Sequence, residues 1–180
     1  MSIVSDSNHW LFISSNGGLT AGRKNAEYAL FPYYTSDKII ESAEVTGSKS
    51  IFLVQKEGKT QVWEPHSERF DGMYEVTRNL YKNIYGNKII FEEINHDLQL
   101  TYRYEWNSSN QFGFVRKSTL TNNSTDEVSI SLLDGIQNII PYGVESATQN
   151  GLSNLVDAYK RNELEQETGL GIYALSAIIV

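Results

Sequence analysis

The sequence predicts a mainly β protein: an antiparallel β-sandwich with one amphipathic helix near its C-terminal end. The first observation is the stretch from Leu98 to Trp106. There Leu98, Leu100, Tyr102, Tyr104 and Trp106 alternate without a fault with Gln99, Thr101, Arg103 and Glu105. Apolar side chains at period two describe a strand that buries one face and wets the other. The second is that similar runs lie on both sides, separated by Gly, Asn and Ser turn signals, which is the spacing pattern of a sandwich. The third is an aromatic content of 12% with eleven Tyr, residues that favour strands and can also line a ligand surface.

The elements follow in order along the chain. Trp10 to Ser14 reads as a first strand, and Asn16 to Tyr34 as a Gly-containing loop ending in Phe31-Pro32-Tyr33-Tyr34. Ser50 to Gln55 and Thr60 to Glu64 form a hairpin across Glu57-Gly58-Lys59, stopped by Pro65. Met73 to Ile84 is a strand, and Gly86-Asn87 turns it into Lys88 to Ile94. Asn95-His96-Asp97 turns again into the alternating strand; Gln111 to Leu120 and Glu127 to Leu133 complete the meander. From Leu152 the apolar positions Leu152, Leu155, Val156 and Tyr159 recur at helical spacing, with Asn150 or Ser153 available as a cap. Asp157, Lys160, Arg161 and Glu163 would form the helix's polar face, and Gly169 and Gly171 end the segment. No internal repeat or low-complexity tract is visible.

Composition bounds the function. At 180 residues the chain is most simply one domain, 1–180, and 40% hydrophobic with 21% charged residues fits a folded soluble protein. A net charge of -7 without any Lys/Arg cluster argues against nucleic acid or an anionic membrane as partner. The absence of Cys excludes disulfides, thiolate chemistry and Cys-ligated metal, and leaves the compartment open. No run approaches the ~20 apolar residues of a membrane span. Met1 to His9 lacks the basic and apolar stretches of a signal peptide, which favours a cytoplasmic location. Ile172 to Val180 is an apolar run with no polar tail after it, which reads either as the cut end of a longer protein or as a docked terminal strand.

Few residues point to catalysis. Gly17 to Lys24, GGLTAGRK, approaches a phosphate loop, but Arg23 replaces the lysine, Lys24 replaces the hydroxyl residue and no helix pattern follows. It reads as a Gly-rich surface loop that can line a site with Arg23. Glu92 and Glu93 are adjacent, so on a strand they point to opposite faces and cannot flank one glycosidic bond. His9, His66 and His96 are far apart, without ligand spacing, and no nucleophile turn is present. No catalytic residue, metal site or cofactor is assigned. Exposed aromatics remain, since sugars stack their C–H faces on rings while planar polar groups bind the hydroxyls. Trp63 reads first as core and second as a ligand contact at a strand end, beside His66; Tyr33 and Tyr34 lie in a loop. The Asn107 and Asn122 to Thr125 stretches match the N-glycosylation pattern but are equally expected of turns.

The succession SNGGLTAGR (Ser15 to Arg23), ALFPYYTSDKI (Ala29 to Ile39), RNLYKNIYGNKIIFEEIN (Arg78 to Asn95), LTYRYEW (Leu100 to Trp106) and FGFVRKSTLTN (Phe112 to Asn122) resembles the N-terminal β domain of carbohydrate-active proteins related to cellobiose phosphorylase-type glycoside phosphorylases and hydrolases. The resemblance spans roughly Trp10 to Asn138 and implies a galactose-mutarotase-like β-supersandwich, which at 180 residues can be incomplete. It implies a chain that is the N-terminal part of a larger protein, preceding a C-terminal helical barrel that carries the general acid. No catalytic residue of that family transfers to a position here. The resulting expectation is a non-catalytic β domain that packs on a sugar site and helps shape it, with carbohydrate and the helical barrel as partners. Asn16, Arg23, Tyr33, Tyr34, Trp63 and His66 are the candidate sugar contacts. The alternatives are a stand-alone carbohydrate-binding module, or a mutarotase-type enzyme that needs a His and a carboxylate converging on one sugar ring.

Overall fold

A computed structural model describes residues 1–32, 35 and 37–176. The chain is mainly β. Its strands are β1 (Ser2–Ile3), β2 (His9–Ile13), β3 (Leu19–Arg23), β4 (Gly47–Lys56), β5 (Lys59–Trp63), β6 (Val76–Lys82), β7 (Lys88–Asn95), β8 (Leu100–Ser109), β9 (Gly113–Asn122) and β10 (Ser129–Gln137). Two short helices, α1 (Ser146–Gly151) and α2 (Ser153–Tyr159), precede β11 (Lys160–Glu165) and β12 (Leu170–Leu175). All ladders are antiparallel, in the orders β1-β2-β3, β10-β4-β5, β6-β7-β8-β9 and β11-β12.

The four-stranded sheet faces the β10-β4-β5 sheet, and the alternating strand explains why. Leu100, Tyr102, Tyr104 and Trp106 of β8 are all buried, and so is Leu98 just before it, while Arg103 is exposed. Their register partners on β7 (Ile89, Phe91, Glu93 and Asn95) share that inner face and are also buried. Phe52 and Val54 of β4 meet them from the other sheet, with the Phe52 ring 5.2 Å from Tyr102 and 5.3 Å from Trp63. Leu11, Ile13, Leu19 and Ala21 of the β1-β2-β3 sheet belong to the same contiguous core. Burying a side chain of the size of Leu, Ile or Phe contributes about 1.5–3 kcal/mol, so this shared core is what holds the three sheets together.

Polar groups also cross between the sheets. Arg116 of β9 donates to Asp134 of β10 through both Nη1 (3.0 Å) and Nη2 (2.7 Å), and Nε donates to Ser48 at 2.9 Å. Tyr102 Oη donates to Asp134 at 3.0 Å and lies 2.5 Å from Ser50 Oγ. Burial works against the Asp134 charge, but the hydrogen bonds from Arg116 and Ser50 outweigh it and hold the carboxyl well below the usual range.

Two readings of the sequence need correction. The segment 16–34 is not all loop, because Leu19–Arg23 forms β3. Its residues Leu19 to Gly22 are all buried, and without alternation the strand gives no period-two signal. The expected single helix is two short ones, and its apolar stripe does not pack as a unit: Val156 is fully buried, whereas Leu152, Leu155 and Tyr159 are exposed. Neither helix has a side-chain cap. Lys160, Arg161 and Glu163 lie on β11 rather than on a helix face. The β11-β12 hairpin takes them because its turn is strongly fixed. There the Glu165 carboxylate accepts from the backbone N–H of Glu167 (3.2 Å) and Thr168 (2.8 Å), and Gly169 supplies φ +70°. Val156 joins Ile140, Val144 and Leu175 in a second, smaller core. No helix among the described residues is long and apolar enough to cross a membrane.

Candidate functional site

The segment Glu64 to Phe70 leaves β5 and folds over the mouth between the two facing sheets. Its anchor is Glu93. On the inner face of β7 and 2% exposed, this carboxylate accepts from Trp63 Nε1, the His66 backbone N–H and Arg78 Nε, each at 2.8 Å. A charged acceptor with several donors is the stable way to bury a carboxylate. A second carboxylate, Glu44, accepts from Ser67 Oγ at 3.0 Å, the Glu68 N–H at 2.8 Å and Lys49 Nζ at 3.1 Å. Lys49 also pairs with the buried Glu64. These contacts fix the segment from both sides.

Fixing the segment forces His66 inward. Its backbone takes φ +63°, a conformation uncommon outside glycine. The ring stands edge-on to Phe91 (6.0 Å, 84°) and Tyr104 (5.3 Å, 89°). Its Nε2 is buried and has no hydrogen-bond partner among the described residues. Desolvation lowers the His66 pKa to about 4; the nearby Glu93 opposes the shift and Arg78 adds to it. The imidazole is therefore neutral at physiological pH, able to donate one hydrogen bond or accept one according to its tautomer.

His66 lines two adjoining cavities. The smaller, about 20 Å³, also touches Asn16, Ser50, Tyr102 and Tyr104. The larger, about 210 Å³, is lined by Ser15, Asn16, Glu68, Arg78, Leu80 and Phe91 among others. Arg78 spends Nε on Glu93 and Nη2 on Ser67 O (3.1 Å) and Asp71 (2.9 Å), leaving Nη1 uncommitted among the described residues. The cations around the cleft, Lys49 and Arg78, are paired with Glu44, Glu64, Asp71 and Glu93, while the Glu68 carboxylate has no ion-pair partner among the described residues, so the cleft offers hydrogen bonds and no free cation.

The sequence candidates divide. Asn16 and His66 meet in this cleft, although Asn16 is mainly a clip: its Oδ1 accepts from Ser14 Oγ and its Nδ2 donates to Ile40 O at 3.0 Å. Beside it Gly17, with φ +90°, runs so close to Tyr104 that a Cβ there would sit 2.6 Å from the hydroxyl. Arg23 lies elsewhere, exposed beside a cavity of about 90 Å³ with Tyr28 and Tyr142. The GGLTAGRK stretch ends in β3 and a 3₁₀ turn, Ala26–Tyr28, which offers no helix N-terminus to phosphate. Trp63, 1% exposed, is a core residue whose ring presents no face to a ligand. The ligand-contact reading of Trp63 is thereby corrected; inter-sheet packing and the bond to Glu93 use the whole indole. Tyr33 and Tyr34 lie outside the described residues.

Sequence reasoning missed Arg78, Glu93 and Tyr104 as site residues. A signal existed for Glu93, a carboxylate in phase with the buried Phe91. Glu92 does point to the opposite face, where Arg103, Asn79 and Tyr81 contact it. Asn122 Oδ1 accepts from the Ser124 N–H at 3.0 Å, the turn role open to that glycosylation-like motif. His96 Nε2 contacts Thr77 Oγ1 at 2.9 Å across the ends of β6 and β7, a hairpin contact. No protein-family model matches the chain, and no curated protein does.

Proposed function

We propose that this chain is a non-catalytic β domain of a carbohydrate-processing protein, and that the His66 cleft lends contacts to a neutral sugar. The observation that carries the reading is the buried His66 Nε2, without a hydrogen-bond partner among the described residues, on a ring that lines a cavity of about 210 Å³. Leaving such a group unmade costs about 1–3 kcal/mol, which a ligand hydroxyl would recover. The neighbouring Arg78 Nη1 and Ser15 supply further polar contacts, and Leu80 and Phe91 supply an apolar wall. With Lys49 and Arg78 already paired and the Glu68 carboxylate left over, the cleft favours an uncharged, polyhydroxylated ligand over phosphate. The resemblance of the Ser15 to Asn122 motifs to β domains of glycoside phosphorylases and hydrolases points the same way, with a helical barrel of the parent protein as the packing partner. A mutarotase-type reaction is less well supported, because Glu93, the carboxylate beside His66, is already committed to three donors.

The test is an NMR titration of the 180-residue chain with glucose, galactose, mannose and xylose. Shifts concentrated at Ser15, Asn16, Ser67 and Arg78 amides, and lost in His66→Asn, support the reading; Asn tolerates the left-handed backbone at this position. Uniformly unaltered spectra, or shifts that persist in His66→Asn, overturn it.

A further inference from the structure

We propose that a groove at one end of the four-stranded sheet binds a neutral oligosaccharide, at a site separate from the His66 cleft. The topology brings its walls together. Because β7 and β8 are antiparallel neighbours inside the order β6-β7-β8-β9, the β6–β7 and β8–β9 turns emerge at the same end. The chain just after β1 crosses that end. Val4 and Asp6, Tyr85 and Asn87, and the run Ser108 to Gln111 enclose a groove of about 590 Å³. That volume lies in the range of roughly 300–1,000 Å³ typical of ligand sites, and it is the largest of the cavities described above.

The backbone of the groove is fixed, and several of its side chains are not. The Val4 N–H donates to Gly86 O at 2.9 Å, Ser108 Oγ to Val4 O at 2.7 Å and the Ser108 N–H to Asn87 O at 3.2 Å. The Gln111 and Phe112 N–H groups both donate to Ser109 Oγ at 3.3 Å. Walls held in this way lower the ordering cost of binding. Among the described residues, the side chains of Asp6, Tyr85, Asn110 and Gln111 take no protein hydrogen-bond or ion-pair partner.

The chemistry of those free groups selects the ligand class. Tyr85 is 77% exposed, and its neighbours in the two turns, Ile84 and Phe112, are 91% and 73% exposed. An aromatic ring kept in water retains the hydrophobic free energy that stacking would release. Beside Tyr85 stand the carboxamides of Asn110 and Gln111, each able to donate and accept, and that of Asn87, whose Oδ1 already accepts from Asn83 Nδ2 at 2.6 Å and whose Nδ2 can donate. A flat apolar face next to several planar amides matches a pyranose ring, which is apolar on its C–H face and hydroxylated at its edge. Asp6 is the one charged residue among the described residues lining the groove, so phosphate, sulfate and carboxylate ligands meet no cation from them. A volume of about 590 Å³ has room for more than one sugar unit.

The experiment measures binding of the 180-residue chain to cellohexaose, xylohexaose, laminarihexaose and maltohexaose by isothermal titration calorimetry. At least one hexasaccharide is expected to bind. Tyr85→Ala should weaken it about tenfold or more, the loss of a stacking contact, and Gln111→Ala about threefold or more. Both residues are exposed, so unchanged thermal unfolding verifies that the fold is intact. His66→Asn should leave hexasaccharide affinity within about twofold, and Tyr85→Ala should leave the monosaccharide shifts at the His66 cleft intact. Binding of none of the four sugars overturns the proposal, as does affinity indifferent to Tyr85→Ala. If His66→Asn abolishes hexasaccharide binding while Tyr85→Ala does not, the groove proposal fails and the His66 reading stands.

Discussion

Replacing Glu93 by Ala should destabilise the fold by about 3–5 kcal/mol, the range for removing one partner of a buried charged pair. The structure shows where the loss arises. Trp63 Nε1, the His66 N–H and Arg78 Nε all lose their acceptor at once. The indole is buried and has no route to water, so its stranded donor alone costs about 1–3 kcal/mol. The His66 N–H adds a comparable amount unless the segment Glu64 to Phe70 lifts away. Arg78 costs least, because Asp71 and Ser67 O still hold its Nη2 and its side chain reaches solvent. Glu93→Gln should fall between wild type and Ala, since it retains one carbonyl acceptor but turns an NH₂ toward a donor. Urea unfolding followed by circular dichroism at pH 7 measures both. A Glu93→Ala variant within about 1 kcal/mol of wild type would refute the anchoring role of Glu93.

Acid should weaken the protein through His66. Its folded pKa, about 4, lies below the unfolded value of 6.5, so the unfolded chain binds the proton first. The stabilisation is then complete above pH 6.5 and falls as pH drops from 6.5 toward 4. At pH 5.5 the loss is about 1.4 kcal/mol; urea midpoints for wild type and His66→Asn should converge between pH 7 and 5.5, and parallel curves would contradict the shift. Gly17→Ala should cost about 1–3 kcal/mol, because it combines φ +90° with a close approach to the Tyr104 hydroxyl; thermal denaturation that matches wild type would count against it. Arg116→Ala should cost about 1–2 kcal/mol, because Asp134 loses both Arg116 bonds but reaches solvent and keeps Ser50 Oγ and Tyr102 Oη as donors, and urea denaturation checks it. Val156→Ala, at the centre of the smaller core, should cost about 1–3 kcal/mol. Hydrogen exchange should quicken in residues 140–176 while β7 and β8 stay protected; uniform acceleration would mean the two cores unfold as one.

The strands were legible wherever one face is buried and the other wet. The run Leu98 to Trp106 could be read directly because every second side chain enters the core. The hairpin across Glu57-Gly58-Lys59 could be read from its turn residues, two of which adopt positive φ. β3 could not, because a strand buried on both faces has no alternation to read. Leu152, Leu155, Val156 and Tyr159 promised a packed helix face, but helical spacing says only which residues align, and the hairpin that follows leaves all but Val156 outside.

The site divides in the same way. His66 and Asn16 stood out as polar residues at a strand end and in a Gly-rich loop, while the groups that give His66 its character lie 12 or more positions along the chain, Arg78 nearest and the rings of Phe91 and Tyr104 at 25 and 38. Periodicity is a local property, and it determined that ribbons with one apolar face would pair and stack. Which buried carboxylate holds which loop, and which imidazole is left without a partner, depends on contacts between strands distant in sequence. Only the closed tertiary structure decided those, because a hydrogen bond across two sheets requires both registers to be set first.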